Sequence, residues 1–200
     1  MLDFFRQRFG PYPCESLTIV VTDPERISPV IAQGLVVFGS NQVDGRAGHV
    51  QLVAEGIARQ WFGGSVGLAV WRDVWLAQGL ACYAGWLWSE RSGRASADDW
   101  ARHVHSQVAL LPADLRIGEP GRSRIADSRI RARGALTMHA LRLTIGDLRF
   151  ASLVTAWCQA HRYGVASTED FRRLAAEHAH ESLDPFFDAW LLGEDLPALP

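Results

Sequence analysis

A chain of 200 residues can form one sizeable domain and bury about two-thirds of its surface on folding. Its formal net charge of −2 excludes a strongly basic or acidic protein, so charge by itself predicts neither nucleic acid nor a membrane surface as a partner. The three cysteines, Cys14, Cys82 and Cys158, are odd in number and far apart, with no Cys-x-x-Cys zinc spacing. We therefore expect free thiols and not a paired disulfide framework.

The first predicted elements are one short helix and two strands. Residues 2–9 form an amphipathic pattern that ends at Gly10 and Pro11, which predicts a helix. Two β-branched runs, 17–22 and 34–38, predict strands with a loop between them.

Helices dominate the rest of the pattern. Apolar residues three and four positions apart predict a helix over 45–62, stopped by Gly63 and Gly64. Ser167 and Asp170 have the spacing of a capping box at a helix start. The sequence therefore predicts a mostly α protein of the α+β class, with further helices at 73–90, 97–111, 125–145, 148–161, from 167 onward, and 183–192.

One motif points to a specific family. The segment 55–63, Glu-Gly-Ile-Ala-Arg-Gln-Trp-Phe-Gly, resembles the His-Glu-x-x-His-Gln-Trp-Phe-Gly helix of the M1 metallo-aminopeptidases. Glu55 and Arg59 stand at the two zinc-binding histidines, and Gly56 stands at the catalytic glutamate. Gln78, with eighteen residues between it and Arg59, stands at the third ligand, a glutamate in the family. The resemblance therefore implies a degenerate copy that lacks the zinc ligands.

The resemblance to the M1 family continues along the chain. It is carried by Phe-Gly-Pro-Tyr-Pro at 9–13, Gly-Ala-Leu at 134–136, Ser-Thr-Glu-Asp-Phe at 167–171 and Phe-Phe-Asp-Ala-Trp-Leu at 186–191. It implies the helical lobe of a thermolysin-like, gluzincin catalytic domain with a small remnant β-lobe. We expect a single domain over 1–200, with the β-lobe at 1–44, the helical lobe at 45–200, and the family's N-terminal β-domain absent.

Two further positions depart from the family pattern. The family's Gly-x-Met-Glu-Asn segment corresponds to 28–32, and Ile31 replaces the glutamate that binds the substrate's free amine. Arg131, three residues before Gly134, replaces the tyrosine that stabilises the tetrahedral intermediate. The resemblance thus implies that the ligands, the base, the amine anchor and the tyrosine are all changed.

The chemistry of the replaced residues argues against zinc. Catalytic zinc needs three His, Cys or carboxylate ligands, and a guanidinium has no lone pair to offer. Because Glu55 precedes Arg59 by four residues on a helix, we predict an ion pair between them, neutral as a pair, with Gln78 nearby. Asp73 is a further candidate partner of Arg59, and a solvent-facing Arg59 is the alternative.

These observations predict a non-catalytic M1-like protein, a pseudoenzyme without a zinc cofactor, with a peptide or a partner protein as the candidate ligand of the former cleft. One alternative is a zinc metallopeptidase with displaced ligands, such as Glu55 with a histidine. Another is a fragment of a larger M1-type assembly, in which case the surface facing the missing lobe should be apolar.

The remaining patterns favour ordinary roles. The arginines between 116 and 133 lack interleaved aromatic residues, so we expect no nucleic-acid binding. His103 with His105, and His178 with His180, are weak metal candidates, and His139 is expected to be a core or rim residue. With no signal peptide and no run of about 18 apolar residues, we expect a soluble cytoplasmic protein that does not bind membranes.

Overall fold

The computed structural model describes residues 1–43, 45 and 47–200, and helices make up most of it. The predicted boundary between the two lobes falls at Asp44, which lies outside the described residues. The α-helices of the described residues are α1 Leu2–Phe9, α2 Val50–Ala58, α3 Val74–Arg91, α4 Ala97–Val108, α5 Ser128–Ile145, α6 Asp147–Ala160, α7 Thr168–Ala179 and α8 Asp184–Phe187. A π-helical turn, Asp188–Leu192, continues α8.

The helix predicted over 45–62 is shorter in the structure. It begins with a 3₁₀ turn at Ala47–His49, and the regular part, α2, ends at Ala58. After α2 the chain turns, and the amide of Val66 donates to the carbonyl of Trp61. Glycine is a poor helix former, so the two glycines near the predicted start shorten the helix there. The Ser167–Asp170 capping box is confirmed at the start of α7.

Helices α3 and α5 cross at the centre of the molecule. Their backbones approach so closely that a Cβ atom added to Gly79 would lie 2.6 Å from the carbonyl carbon of Gly134. Helix α3 is buried along most of its length, and α2, α4 and α6 pack around the pair. None of the helices in the described part of the chain has the length and apolar character needed to cross a membrane.

The strands form two small sheets. In the first, with the order β1-β3-β2, β1 Thr18–Thr22 runs parallel to β3 Leu35–Gly39, and β2 Val30–Ala32 is antiparallel to β3. In the second, β4 Val66–Leu68 is parallel to β5 Gly164–Ala166. The sequence predicted β1 and β3 but not the other three, because a strand of three residues is too short to show a period of two.

Candidate functional site

The candidate site is centred on Glu55, which lies in the last turns of α2 and is 5% exposed. Arg59, one helical turn further on, donates from Nη2 to Oε1 of Glu55 at 3.2 Å. The predicted Glu55–Arg59 ion pair is therefore confirmed, and the guanidinium does not turn away to solvent.

Arg131 is a second partner of Glu55, reached from the first turns of α5. Its Nε donates to both carboxylate oxygens at 2.9 Å, and its Nη2 donates to Oε2. No local pattern in the sequence indicates this contact across 76 positions, and only the resemblance to the M1 family marks Arg131 as a functional position. The cluster of Glu55, Arg59 and Arg131 is called the Glu55 cluster below.

The electrostatics of the Glu55 cluster are dominated by the two arginines. Burial by itself would raise the pKa of Glu55, but the hydrogen bond and charge of Arg131, and then those of Arg59, outweigh it and lower that pKa. One carboxylate and two guanidiniums give a formal charge of +1. The neutral site predicted from the pair alone is thus corrected by the third member. Burial raises the pKa of the neighbouring Cys82 thiol to about 12, so this thiol is neutral.

Asp73 does not pair with Arg59. Its carboxylate instead accepts from the amide and hydroxyl of Thr168, at 3.1 and 2.8 Å, and from the amide of Val70 at 3.2 Å. Asp73 therefore joins the start of α3 to the start of α7. Gln78 is half-buried on α3, and its predicted contact with the Glu55–Arg59 pair stays a prediction.

Gly56 and Ile31, at the positions of the general base and the amine anchor, both lie against strand β3. A Cβ atom added to Gly56 would lie 3.2 Å from Cγ1 of Val36 and 3.3 Å from Cζ of Phe38, so strand β3 fills the space beside this glycine. Ile31, half-buried on β2, pairs in register with Val36. Among the nearby tryptophans, Trp61 and Trp75 are buried, and Trp71 is exposed.

The residues of the Glu55 cluster do not fit a zinc ion. Both oxygens of Glu55 accept hydrogen bonds from guanidiniums, which carry positive charge and offer no lone pair. Within residues 1–43, 45 and 47–200, no group of three or more His, Cys, Asp or Glu side chains is placed to hold a metal ion. His139 is a buried core residue, bonded to Tyr83 and Asp98.

The other residues of the 55–63 motif have structural partners. Gln60 is 1% exposed; its amide accepts from the backbone N–H of Gly34 and donates to the carbonyl of Ala32. Trp61 donates from Nε1 to the carbonyl of Gly10 at 3.2 Å and packs against the phenylalanines of α1. The motif therefore ties α2 to the β2–β3 turn and to α1, whatever occupies its ligand positions.

Comparison with known proteins finds relatives over nearly the whole chain. The model of the peptidase family M1 domain matches residues 1–190. Aminopeptidase M1-C of Oryza sativa is 23% identical over 217 residues, covering 99% of this chain and 25% of the rice protein. The crystal structure of the M1 zinc metallopeptidase from Deinococcus radiodurans superposes with a TM-score of 0.88 at 29% identity, over 100% of this chain and 44% of that one. A mutant of that enzyme bound to a Tyr-Ser-Ala substrate superposes equally well.

These matches fix the family and the extent of the likeness. The chain spans about a quarter of the rice relative and less than half of the Deinococcus structure. The helical fold of this chain matches the catalytic domain of the M1 metallopeptidase structure over the whole length of this chain. This chain belongs to peptidase family M1.

Proposed function

We propose that this chain is a non-catalytic M1 homologue, a pseudoenzyme that binds a peptide or a partner chain in the former active-site cleft. The observation that carries the proposal is the Glu55 cluster, in which two guanidiniums saturate the carboxylate at the expected metal position. A divalent cation at that place would face two fixed positive charges, which repel it.

The position of the general base supports the same proposal. Gly56 has no side chain that could take a proton from water, and the side chains of Val36 and Phe38 pack against it. A glutamate restored at this position would require the side chains of Val36 and Phe38 to shift. Loss of the base and filling of its surroundings together disfavour hydrolysis by the family's route.

Peptide binding is the finer part of the proposal. A relative of the same fold was crystallised with a Tyr-Ser-Ala substrate, and this chain superposes on that structure along its whole length. We propose that this chain keeps the ability to bind a peptide without cleaving it, without a zinc cofactor and in the cytoplasm.

The test is a joint measurement of metal content and turnover. Purified protein is dialysed with zinc, and bound metal is measured by mass spectrometry alongside cleavage of aminoacyl anilides. We expect far less than one equivalent of zinc and no turnover above the buffer rate. One equivalent of zinc with turnover, both lost in Glu55→Ala, would instead establish the displaced-ligand metallopeptidase and end this proposal.

A second candidate is that the chain works within a larger M1-type assembly. The observation that favours it is strand β1, in which Ile19, Val20 and Val21 are 47%, 38% and 49% exposed. We propose that an additional β-rich domain, on a partner chain or on a longer product of the same gene, covers this strand. Reading the DNA upstream of Met1 for an in-frame β-domain, together with mass measurement of the natural protein, tests it. A natural monomer of 22.1 kDa with no upstream domain and no co-purifying chain would contradict it.

A further inference from the structure

The Glu55 cluster leaves hydrogen-bond donors unused. A guanidinium carries five N–H groups. Glu55 accepts from Nε and Nη2 of Arg131 and from Nη2 of Arg59. Within the described part of the chain, Nη1 of Arg131, and Nε and Nη1 of Arg59, have no protein acceptor. The cluster can therefore donate to a further group that approaches from outside.

The two arginine side chains of the cluster are more exposed to solvent than the carboxylate they share. The side chain of Glu55 is 7% exposed, whereas those of Arg131 and Arg59 are 44% and 31% exposed. The negative charge is thus buried beneath two accessible positive ones. A ligand that approaches this surface therefore contacts the two arginines before Glu55, and the net charge of the cluster, +1, favours a negatively charged ligand.

Glu55 also holds the two guanidiniums in place. Arg131 binds the carboxylate through both oxygens, which fixes the plane of its guanidinium. Since two arginine side chains are already ordered, a ligand does not have to bear the full entropy cost of immobilising them. Planar, charged donors with this fork geometry match carboxylates and phosphates, and a carboxylate is the group of these two that every peptide with a free C-terminus carries.

The same residues disfavour a cationic ligand. A peptide's free amine needs an unpaired carboxylate, and Glu55 is already saturated. Ile31, at the position that the resemblance assigns to the amine anchor, is apolar. The polarity of this surface therefore selects against an amino terminus and for a carboxylate.

We infer that Arg59 and Arg131 form a binding site for a carboxylate of a peptide ligand, supplied by its C-terminus or by an acidic side chain. This inference rests on the proposed peptide-binding function and specifies its ligand class. Glu55 acts as the anchor that positions both arginines.

The experiment compares three closely related peptides by isothermal titration calorimetry at low ionic strength. The first is N-acetylated with a free C-terminal carboxylate, the second is its C-terminal amide, and the third is the amide with one internal glutamate. Because hydrogen bonds to charged groups are the strong ones, we expect the free acid or the glutamate peptide to bind at least about tenfold more tightly than the plain amide. The stronger of these two identifies the source of the carboxylate.

Variants connect the preference to the cluster. Arg131→Gln and Arg59→Gln should each remove most of the preference, whereas Arg6→Gln on α1, which removes the same charge outside the cluster, should leave it intact. Glu55→Gln keeps one acceptor oxygen to hold the guanidiniums and raises the formal charge of the cluster to +2, so it should tighten carboxylate binding. This gives a readout in the opposite direction if an arginine variant fails to fold.

Three results would overturn the inference: equal affinities for all three peptides, equal losses in Arg131→Gln and Arg6→Gln, or weaker carboxylate binding by folded Glu55→Gln. These results are separable from failure of the proposed function. A zinc-free, inactive protein without a carboxylate preference removes only this inference, whereas stoichiometric zinc with turnover removes the pseudoenzyme proposal.

Discussion

At the scale of single residues, the side chains of the 55–63 motif have two different roles, one in holding the fold together and one in the Glu55 cluster. Gln60 and Trp61 are buried and bond to backbone groups of the β2–β3 turn and of Gly10. Glu55 and Arg59 bond to each other and to Arg131. Because the first pair holds the fold without any metal, a change of ligands does not require a change of Gln60 or Trp61.

Gln60→Ala tests the structural role of the motif, which is to stabilise the β2–β3 turn. It leaves the amide of Gly34 and the carbonyl of Ala32 without their buried partner, so we expect a loss of about 2–3 kcal/mol in the free energy of unfolding. Urea denaturation followed by circular dichroism measures it. The matched control is Gln33→Ala, since Gln33 also bonds to a backbone carbonyl but is exposed, and it should cost less than about 1 kcal/mol. Equal losses in the two variants would contradict the assignment.

At the scale of elements, the crossing of α3 and α5 determines where Arg131 lies relative to Glu55. Gly79 and Gly134 let the two backbones touch, and Arg131 is one turn before this contact on α5. A larger residue at the crossing would separate the helices and move the Arg131 guanidinium with α5. The glycines therefore contribute to the site through geometry alone.

Gly134→Ala is expected to destabilise the protein. Its Cβ would lie 2.7 Å from the carbonyl oxygen of Trp75, and backbone cannot yield as a side chain can, so we expect a cost of about 1–3 kcal/mol. Gly85→Ala, at a buried glycine of α3, is the control. Its Cβ has 3.3 Å to the nearest atom, and the higher helix propensity of alanine, worth about 1 kcal/mol, offsets the crowding. Thermal unfolding that ranks Gly85→Ala below Gly134→Ala in stability would refute this account of the crossing.

A buried polar contact joins three helices at His139 of α5. Nδ1 of His139 lies 3.3 Å from the hydroxyl of Tyr83 on α3, and Nε2 lies 3.2 Å from Asp98 on α4. Burial lowers the pKa of His139, and this effect outweighs the opposing influence of Asp98 and Glu90, while Arg142 adds to the lowering. The folded state thus favours the neutral imidazole.

This shift predicts acid sensitivity. The unfolded histidine takes up a proton near its ordinary pKa of about 6.5, before the folded one does, so the stability is full above that pH and falls as the pH drops through the folded pKa. Thermal unfolding between about pH 7.5 and 5 should show this loss, and His139→Gln should lose less. His49→Gln, at an exposed histidine, should behave as the wild type. An unchanged pH profile in His139→Gln would show that another group is responsible.

At the scale of the whole molecule, the helical part and the three-stranded sheet differ in how much of their apolar surface is buried. The helical part has a continuous buried core, whereas β1 is at the edge of its sheet and exposes apolar side chains on both faces. Val30 on β2 adds to this surface, with 51% exposure. An uncovered apolar edge strand favours association, with itself or with a partner. The sheet thus presents an exposed apolar surface, and that a missing lobe covers it stays a prediction.

The double substitution Ile19→Thr with Val21→Thr tests this surface. Both side chains are on one face of β1, and threonine keeps the strand propensity while reducing apolar area. We expect less concentration-dependent association in sedimentation velocity, with the free energy of unfolding changed by about 1 kcal/mol or less for two exposed sites. Val165→Thr, at a 67% exposed valine of β5, is the control and should leave association unchanged. Association that persists in the double variant would show that a surface other than β1 is responsible for it.

The sequence by itself determined what depends on near neighbours along the chain. The helices, the capping box at Ser167 and the Glu55–Arg59 pair follow from periodicity and from spacings of three and four residues, and the structure confirms them. The resemblance likewise assigned the family, because its motifs are short runs of residues that can be read without knowing the fold.

Only the tertiary structure decided the contacts between distant segments. The bond from Arg131 to Glu55, the link from Asp73 to Thr168, and the short strands β2, β4 and β5 depend on how the helices cross and how the turns close. For a side chain such as Glu55, many residues of the sequence have the charge or the hydrogen-bond donors of a suitable partner. Only the packing of the helices decides which of them lies within bonding distance. The charge of the candidate site, +1 rather than zero, is therefore a property of the fold and not of the motif.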